Sequence, residues 1–450
     1  MSTYLAIRDI LEATNGRPYG VEPSTKVTGF TVDSREVTPG NVFIAIPGTH
    51  TDGHNFVRDA LQRGAACVLV HRKVDVPHVL VHDTRDALIQ LATYWRDKLN
   101  PYFIIITGSC GKTTTKDMIA EMLRSSYRVA RAPKSYNSTI GFPLAILNIR
   151  REHQVAVLEL ETNNVSVTGR LAKMVEPDLV VVTNIGDTHL EYLGNREGVA
   201  REKHAVVEAL KSNGYLVVNL DDPILSGWYH TNRITFGTSK EADWYATDIE
   251  EVNGKVRFTI NSHYNVELPF PGRFNIYNAL AAIAATDVFD VSIENRIEVL
   301  QGFNPPPRRL EVLRVGDITL IDDSYNANPQ SMAAALEVLK TYPGRRKIAV
   351  LGDMLELGDH TADAHRKLGN LLRGINPNAV FLIGQYVSYI KQGLGDDFKG
   401  KLQIFNELNN MIRPILEYLQ PGDVVLFKAS LLVNLDRVVK QIITRVKCET

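Results

Sequence analysis

Ile104-Ile-Ile-Thr-Gly-Ser-Cys-Gly-Lys-Thr-Thr-Thr115 carries an apolar run straight into a glycine-bracketed turn that ends in Lys-Thr, and a helical pattern follows over 116–125. Strand, tight turn and helix start in that order make a phosphate cradle, because the free N–H groups and dipole of a helix N-terminus attract anions. Gly108 and Gly111 let the backbone approach the anion closely. Lys112 is placed to reach the β and γ phosphates, and the Thr113 hydroxyl to meet Mg²⁺. The spacing departs from the usual phosphate loop, which has four residues between its first glycine and Gly-Lys. Here there are two, and Ile106 stands where that glycine belongs. An ordinary glycine turn ahead of a helix is the competing reading; the terminal Lys-Thr favours a nucleoside triphosphate site. Cys110 reads as a small loop residue.

The rest of the chain sets the context. Its 450 residues imply roughly two to four domains. Hydrophobic content of 44% and charged content of 22% are those of an ordinary soluble globular protein. A net charge of −1 gives no electrostatic basis for binding nucleic acid or an anionic membrane. The first sixteen residues carry Asp9 and Glu12 and lack a basic-then-apolar signal pattern. No apolar run approaches the ~20 residues that span a bilayer. Three scattered cysteines (Cys67, Cys110, Cys448) suggest neither a disulfide framework nor a zinc site. A cytoplasmic monomer is the expectation.

Periodicity predicts three α/β domains. Residues 1–99 form a small mixed unit with helices over 7–14, 56–63 and 88–99, and strands beginning at Gly29, Asn41 and Cys67. Residues 100–307 alternate strands (103–106, 155–159, 179–183, 216–219) with helices. Their continuous apolar character fits a mainly parallel sheet covered on both faces, with ligands at the carboxyl ends of its strands. A more alternating section over 244–268 and an Ala-rich helix over 274–285 complete that domain. Asn304-Pro-Pro-Pro-Arg-Arg309 is the linker, since three prolines cannot continue a helix. Residues 308–450 form a third, Rossmann-like α/β domain with strands over 318–321, 347–351, 380–383 and 424–427.

Chemistry-bearing residues gather after the strands. Glu159 and Glu161 close one strand at i, i+2 spacing, hence on the same side. His189 lies in the turn Thr183-Asn-Ile-Gly-Asp-Thr-His189; Mg²⁺ prefers oxygen ligands, so a structural histidine competes with a metal role. Lys203, on a helix over 198–210, reads from its spacing as a solvated surface lysine. Asp322-Asp-Ser-Tyr-Asn-Ala-Asn-Pro-Gln-Ser331 is rich in hydrogen-bonding side chains, with Pro329 suited to a first helical turn; a capped turn is the alternative to a binding site. Asp33-Ser34-Arg35 could hold a phosphate or uracil, or could be a turn.

Together these stretches resemble the Mur ligase family, ATP-dependent enzymes that join an amino acid or peptide to a carboxylate. The resemblance runs the whole chain, through Asp52-Gly-His54, Asn137-Ser-Thr-Ile-Gly141, Asn275-Ile-Tyr-Asn278 and Gly352-Asp-Met-Leu-Glu-Leu-Gly358 besides the stretches above. It is strongest to the branch that adds D-alanyl-D-alanine to a UDP-N-acetylmuramoyl-tripeptide through an acyl phosphate. It implies ATP and Mg²⁺ as cofactors, and a UDP-linked muramoyl peptide with a dipeptide or amino acid as substrates. Gly108, Ser109, Cys110, Gly111, Lys112, Thr113 and Thr114 would cradle the phosphates. Asn275 and Asn278 would hold the adenine end, and Arg309 and Asp323 would reach ATP from linker and lid. Thr113, Glu159, His189 and a carbamoylated Lys203 would hold metal, which revises the surface reading of that lysine. Lys112, Lys203, His189 and Arg309 are the catalytic candidates. Ser34, Arg35, Asn137, Tyr325, Asn326 and Asn328 are the substrate-binding ones. The sequence departs from the family pattern at Glu161, where glycine is usual, at Tyr136, at Val165-Ser-Val167, and at Lys428-Ala-Ser-Leu-Leu432, where Lys-Gly-Ser-Arg is expected. A diverged ligase with another carboxylate or amine, and a nucleotide-binding protein without turnover, are the alternatives.

Overall fold

The structure is a computed structural model that describes residues 5–48, 51–133 and 136–449, with side chains as far as residue 446. The first four residues of the stretch read for a signal pattern, and the Cys448 side chain, lie outside it. The chain divides into two compact units, one built from residues 1–107, 123–181 and 202–216, the other from 108–122, 182–201 and 217–450.

In the first unit, β1 (Arg17–Tyr19), β2 (Gly29–Thr31), β3 (Asn41–Ile44), β4 (Cys67–Val70) and β5 (His78–Leu80) form a sheet in the order β1-β5-β4-β3-β2. All neighbours are parallel except β1, which runs against β5. β3 and β4 are buried at every position, as a parallel strand covered on both faces must be. The helix Ile7–Thr14 ends at Asn15 in the left-handed conformation. The helix Thr84–Arg96 starts a turn before the expected residue 88, because the Asp83 carboxylate accepts the Arg85 and Asp86 N–H groups and caps it there. The same unit carries β6 (Tyr102–Thr107), β7 (Val129–Arg131), β8 (Val155–Glu159) and most of β9 (Leu179–Val182), in the order β9-β6-β8-β7. β8 is parallel to both β6 and β7.

Beyond β10 (Tyr215–Asn219), the second unit holds β11 (Arg233–Gly237), β12 (Trp244–Val252), β13 (Lys255–Ile260) and β14 (Tyr264–Leu268). β12 to β14 are an antiparallel meander, and β13 alternates exposed with buried residues, the signature of a sheet with one wet face. The helix Asn275–Thr286 is buried along almost its whole length, which explains its alanines. The last sheet comprises β15 (Glu311–Val315), β16 (Ile318–Asp322), β17 (Arg346–Gly352), β18 (Ala379–Ile383), β19 (Lys401–Phe405) and β20 (Asp423–Lys428), in the order β15-β16-β20-β17-β18-β19. All pairs are parallel but β15–β16. Val350, Phe381 and Phe427 are fully buried against Ile415, Val438 and Ile442. Each such side chain contributes about 1.5–3 kcal/mol over its exposed state. β15 and β19 were not expected. They are the sheet's edges, half exposed, and lack the continuous apolar run that marks a buried strand.

Candidate functional site

The Ile104–Thr115 stretch has the strand, glycine turn and helix that its sequence predicts. Gly108 and Gly111 have φ of +136° and +83°, a region L-residues seldom occupy. The helix begins directly at Lys112 rather than at residue 116, and runs to Arg124. The turn after β9 props the loop. Asn184 takes the Cys110 N–H on its side-chain oxygen (2.9 Å) and donates to the Cys110 carbonyl (3.1 Å). Thr183 Oγ1 donates to the same carbonyl (2.6 Å), and Ser109 Oγ accepts the Gly186 N–H (2.7 Å). A Cβ on Gly108 would lie 2.0 Å from Thr183 Oγ1, and one on Gly111 2.1 Å from Asn278 Oδ1. Neither position admits a side chain.

Lys112 is buried, and its ammonium donates to the Gly108 carbonyl at 2.7 Å. It therefore closes over its own loop. Thr113 and Thr114 are buried behind it. Asn278 takes the Thr115 hydroxyl (3.4 Å) and donates to Asn275 Oδ1 (2.9 Å), while Asn275 donates to the Pro271 carbonyl (2.9 Å). Asn278 thus stands against the loop, and Asn275 holds Asn278.

The linker and the 322–331 turn belong to the same unit. Arg309 stacks its guanidinium on the Tyr325 ring at 4.2 Å, a cation–π contact. Arg308 donates to the Ser324 carbonyl at 2.8 Å. Asp323 accepts the Leu310 N–H (3.1 Å) on one oxygen and pairs with the buried Lys428 ammonium (2.5 Å) on the other. That ammonium also donates to the Asn326 carbonyl. Asn328 caps the helix Pro329–Thr341, with proline at its first turn as expected, and its side chain contacts Cys110 Sγ at 3.3 Å. Capped turn and approach to the loop are therefore both true of one residue. His189, in the left-handed conformation, meets Glu356 through Nδ1 at 2.5 Å. In the departing C-terminal pattern, Ser430 Oγ accepts the Leu355 N–H (2.9 Å), and Leu431 and Leu432 are exposed.

In the first unit, Glu159 is buried at the end of β8 and accepts from Asn137 Nδ2 at 2.7 Å. Lys203 corrects the reading from spacing. It is 0% exposed, not solvated, and its ammonium lies 2.7 Å from Glu202 Oε2 and 3.2 Å from Glu161 Oε1. Burial by itself would lower the amine's pKa; the two carboxylates outweigh it and hold it above the ordinary lysine value. Glu161, the departure from the glycine pattern, thus forms half of a clamp on that lysine. Asp33 caps the short turn 34–36 and pairs with Arg35 at 2.6 Å, leaving Ser34 buried and the Arg35 side chain 81% exposed. Among the described residues no group of three or more His, Cys, Asp or Glu side chains is arranged to hold a metal.

Sequence reasoning missed Glu202, and it quoted the stretches that hold Glu356 and Lys428 without seeing the partners those two residues take. Each acts through a partner distant in the chain or hidden by burial, and a charged residue by itself gives no signal of that. Glu202 stands beside Lys203 in sequence, yet nothing local marks either as buried.

The comparisons with known proteins cover the chain in three pieces. Residues 26–97 match the Mur ligase family catalytic domain, 106–286 the Mur ligase middle domain, and 308–431 the Mur ligase glutamate ligase domain. A UDP-N-acetylmuramoyl-tripeptide–D-alanyl-D-alanine ligase of Bacillus subtilis is 35% identical over 93% of this chain and 94% of its own. The Escherichia coli protein of the same name is 31% identical over 91% and 92%. The crystal structure of MurF from Acinetobacter baumannii superposes with a TM-score of 0.86 at 30% identity, covering 99% of both chains. MurF from Thermotoga maritima in complex with ADP gives 0.82 at 28% identity, over 94% of this chain and 98% of that one.

Proposed function

Because the chain belongs to the Mur ligase family, we propose that it is a MurF-type, ATP-dependent ligase that adds D-alanyl-D-alanine to a UDP-N-acetylmuramoyl-tripeptide in peptidoglycan synthesis. The observation that carries this is the end-to-end match to relatives named for that reaction. The glycine turn and buried Lys112 supply the chemistry it needs.

A carboxylate and an amine do not condense at neutral pH. The tripeptide carboxylate oxygen attacks the γ-phosphorus, the bond to the β-phosphate oxygen breaks, and ADP leaves an acyl phosphate. The dipeptide amine then attacks the acyl carbon, loses a proton, and expels phosphate as the amide forms. Phosphoryl transfer asks mainly for positioning and charge neutralisation. The Lys112 ammonium and Arg309 guanidinium supply positive charge, while the Gly108–Thr114 backbone orients the phosphates. Asn275 and Asn278 serve ATP from the rear of the loop, and Asp323 from the third domain. Ser34, Arg35, Asn137, Tyr325, Asn326 and Asn328 serve the substrates. Residues 1–99 take the UDP end, 100–307 ATP, and 308–450 the incoming dipeptide as a lid that excludes water.

The residues that would hold Mg²⁺ are the Thr113 hydroxyl and His189 of the second unit, and the Glu159 carboxylate and Lys203, as carbamate, of the first; the hydroxyl and carboxylate are the hard oxygens this ion prefers. When bound, the ion neutralises phosphate charge. Carbamoylation would end the Lys203 pairs with Glu161 and Glu202 and set a third anion beside them, so modification and cation uptake go together. A cytoplasmic monomer suits ATP and a nucleotide-linked precursor; among the described residues no helix is long and apolar enough to cross a membrane.

The test is phosphate release from ATP with UDP-muramoyl-tripeptide and a panel of amines. Release and amide product that require both acceptor and D-alanyl-D-alanine are expected. Equal release without the amine, or preference for a single apolar amino acid at the exposed Leu431–Leu432 pair, overturns the assignment.

A further inference from the structure

His189 and Glu356 come from distant parts of the second unit and meet in an uncommon way. Both are non-glycine residues in the left-handed region, with φ of 53° and 62°. Such backbone persists only where its surroundings over-determine it, and it concentrates at functional sites. Glu356 grips the turn twice. Its side-chain Oε2 lies 2.5 Å from His189 Nδ1, and its carbonyl accepts the Glu191 N–H at 3.1 Å. The segment that presents it is pinned just upstream. Met354 N–H donates to His365 Nε2 (3.1 Å) and Leu355 N–H to Ser430 Oγ (2.9 Å). Downstream, a Cβ on Gly358 would come 3.1 Å from the Glu191 Cα, so the two backbones pack closely.

We propose that Glu356 is a positioning residue that fixes the ring and tautomer of His189. A carboxylate that accepts the Nδ1 proton of a neutral imidazole fixes the tautomer in which Nε2 is the basic nitrogen, the form that ligates a cation. The inference rests on the reading of His189 as a metal ligand. It adds that a residue of the third domain sets that ligand.

The test uses the full chain with ¹⁵N-labelled histidine, His189 being assigned by its loss in His189→Gln. Long-range ¹H–¹⁵N spectra should show the Nδ1–H form in the wild type and in Glu356→Gln, whose amide oxygen still accepts. Glu356→Ala should show mixed tautomers. The Mg²⁺ concentration for half-maximal activity should rise about 10–100-fold in Glu356→Ala and stay near wild type in Glu356→Gln. An Nε2–H form in the wild type, or Glu356→Ala matching wild type in both readouts, overturns the proposal. Full activity of His189→Gln overturns the metal reading beneath it, and the tautomer spectrum then judges the contact by itself.

Discussion

Lys203→Met should destabilise the first unit severely, for a reason visible in the burial of its partners. The lysine and Glu202 are both fully enclosed, with side-chain exposures of 0%. Glu202 Oε1 is satisfied by the Thr168 hydroxyl (2.6 Å) and the Thr162 N–H (3.2 Å). Its Oε2 faces the ammonium at 2.7 Å, and the ammonium is what compensates that oxygen. Glu161 is partly exposed and can turn to water; Glu202 cannot. Methionine fills the lysine's volume, so the loss is electrostatic and not a cavity. Removing one partner of a buried ion pair costs about 3–5 kcal/mol. For a folding unit of 150–250 residues that lowers the melting temperature by roughly 6–20 °C. Differential scanning fluorimetry of Lys203→Met and of Lys203→Met with Glu202→Gln is the assay. The second change neutralises the stranded carboxylate and should restore most of the loss without restoring ligase activity. A single variant that melts within about 1 kcal/mol of wild type would refute the clamp. So would a double variant no more stable than the single one.

Lys112→Ala should abolish product formation with little loss of stability; near-normal turnover in the phosphate-release assay would remove the loop from the reaction. Gly111→Ala puts a Cβ 2.1 Å from Asn278 Oδ1 at a φ of +83°. It should cost about 1–3 kcal/mol and weaken ATP binding in calorimetry, and unchanged affinity would contradict the geometry described for the loop. His365 is enclosed, accepts the Met354 N–H and donates to the Thr361 carbonyl (2.7 Å). Burial, opposed by Thr361 and Asp353, holds its pKa below the ordinary 6.5. The unfolded chain then binds the proton first, so this contribution is complete above pH 6.5 and is lost as pH falls from there toward the folded value, by at most about 1.4 kcal/mol per pH unit. Denaturant midpoints for wild type and His365→Gln between pH 5 and 8 should diverge on that side; parallel curves would count against a neutral His365.

The parallel strands could be read from the chain because a strand buried on both faces must be apolar throughout. β4 and β8 fall where that pattern puts them, whereas the half-wet edges β15 and β19 carry no such pattern. The helix Ile7–Thr14 and the proline start of Pro329–Thr341 fall where the sequence puts them, whereas the Asp83 cap moved the start of its helix by a turn.

Ile104 to Thr115 determined its strand, turn and helix by itself, since two glycines and Lys-Thr dictate backbone shape and charge within a few residues. Burial is not a local property. That Lys203 is enclosed between Glu161 and Glu202, that Lys428 holds Asp323, and that Glu356 reaches His189 were decided by tertiary structure. Each depends on which distant segment excludes water from a charge, and a charged residue in sequence looks the same whether water surrounds it or not.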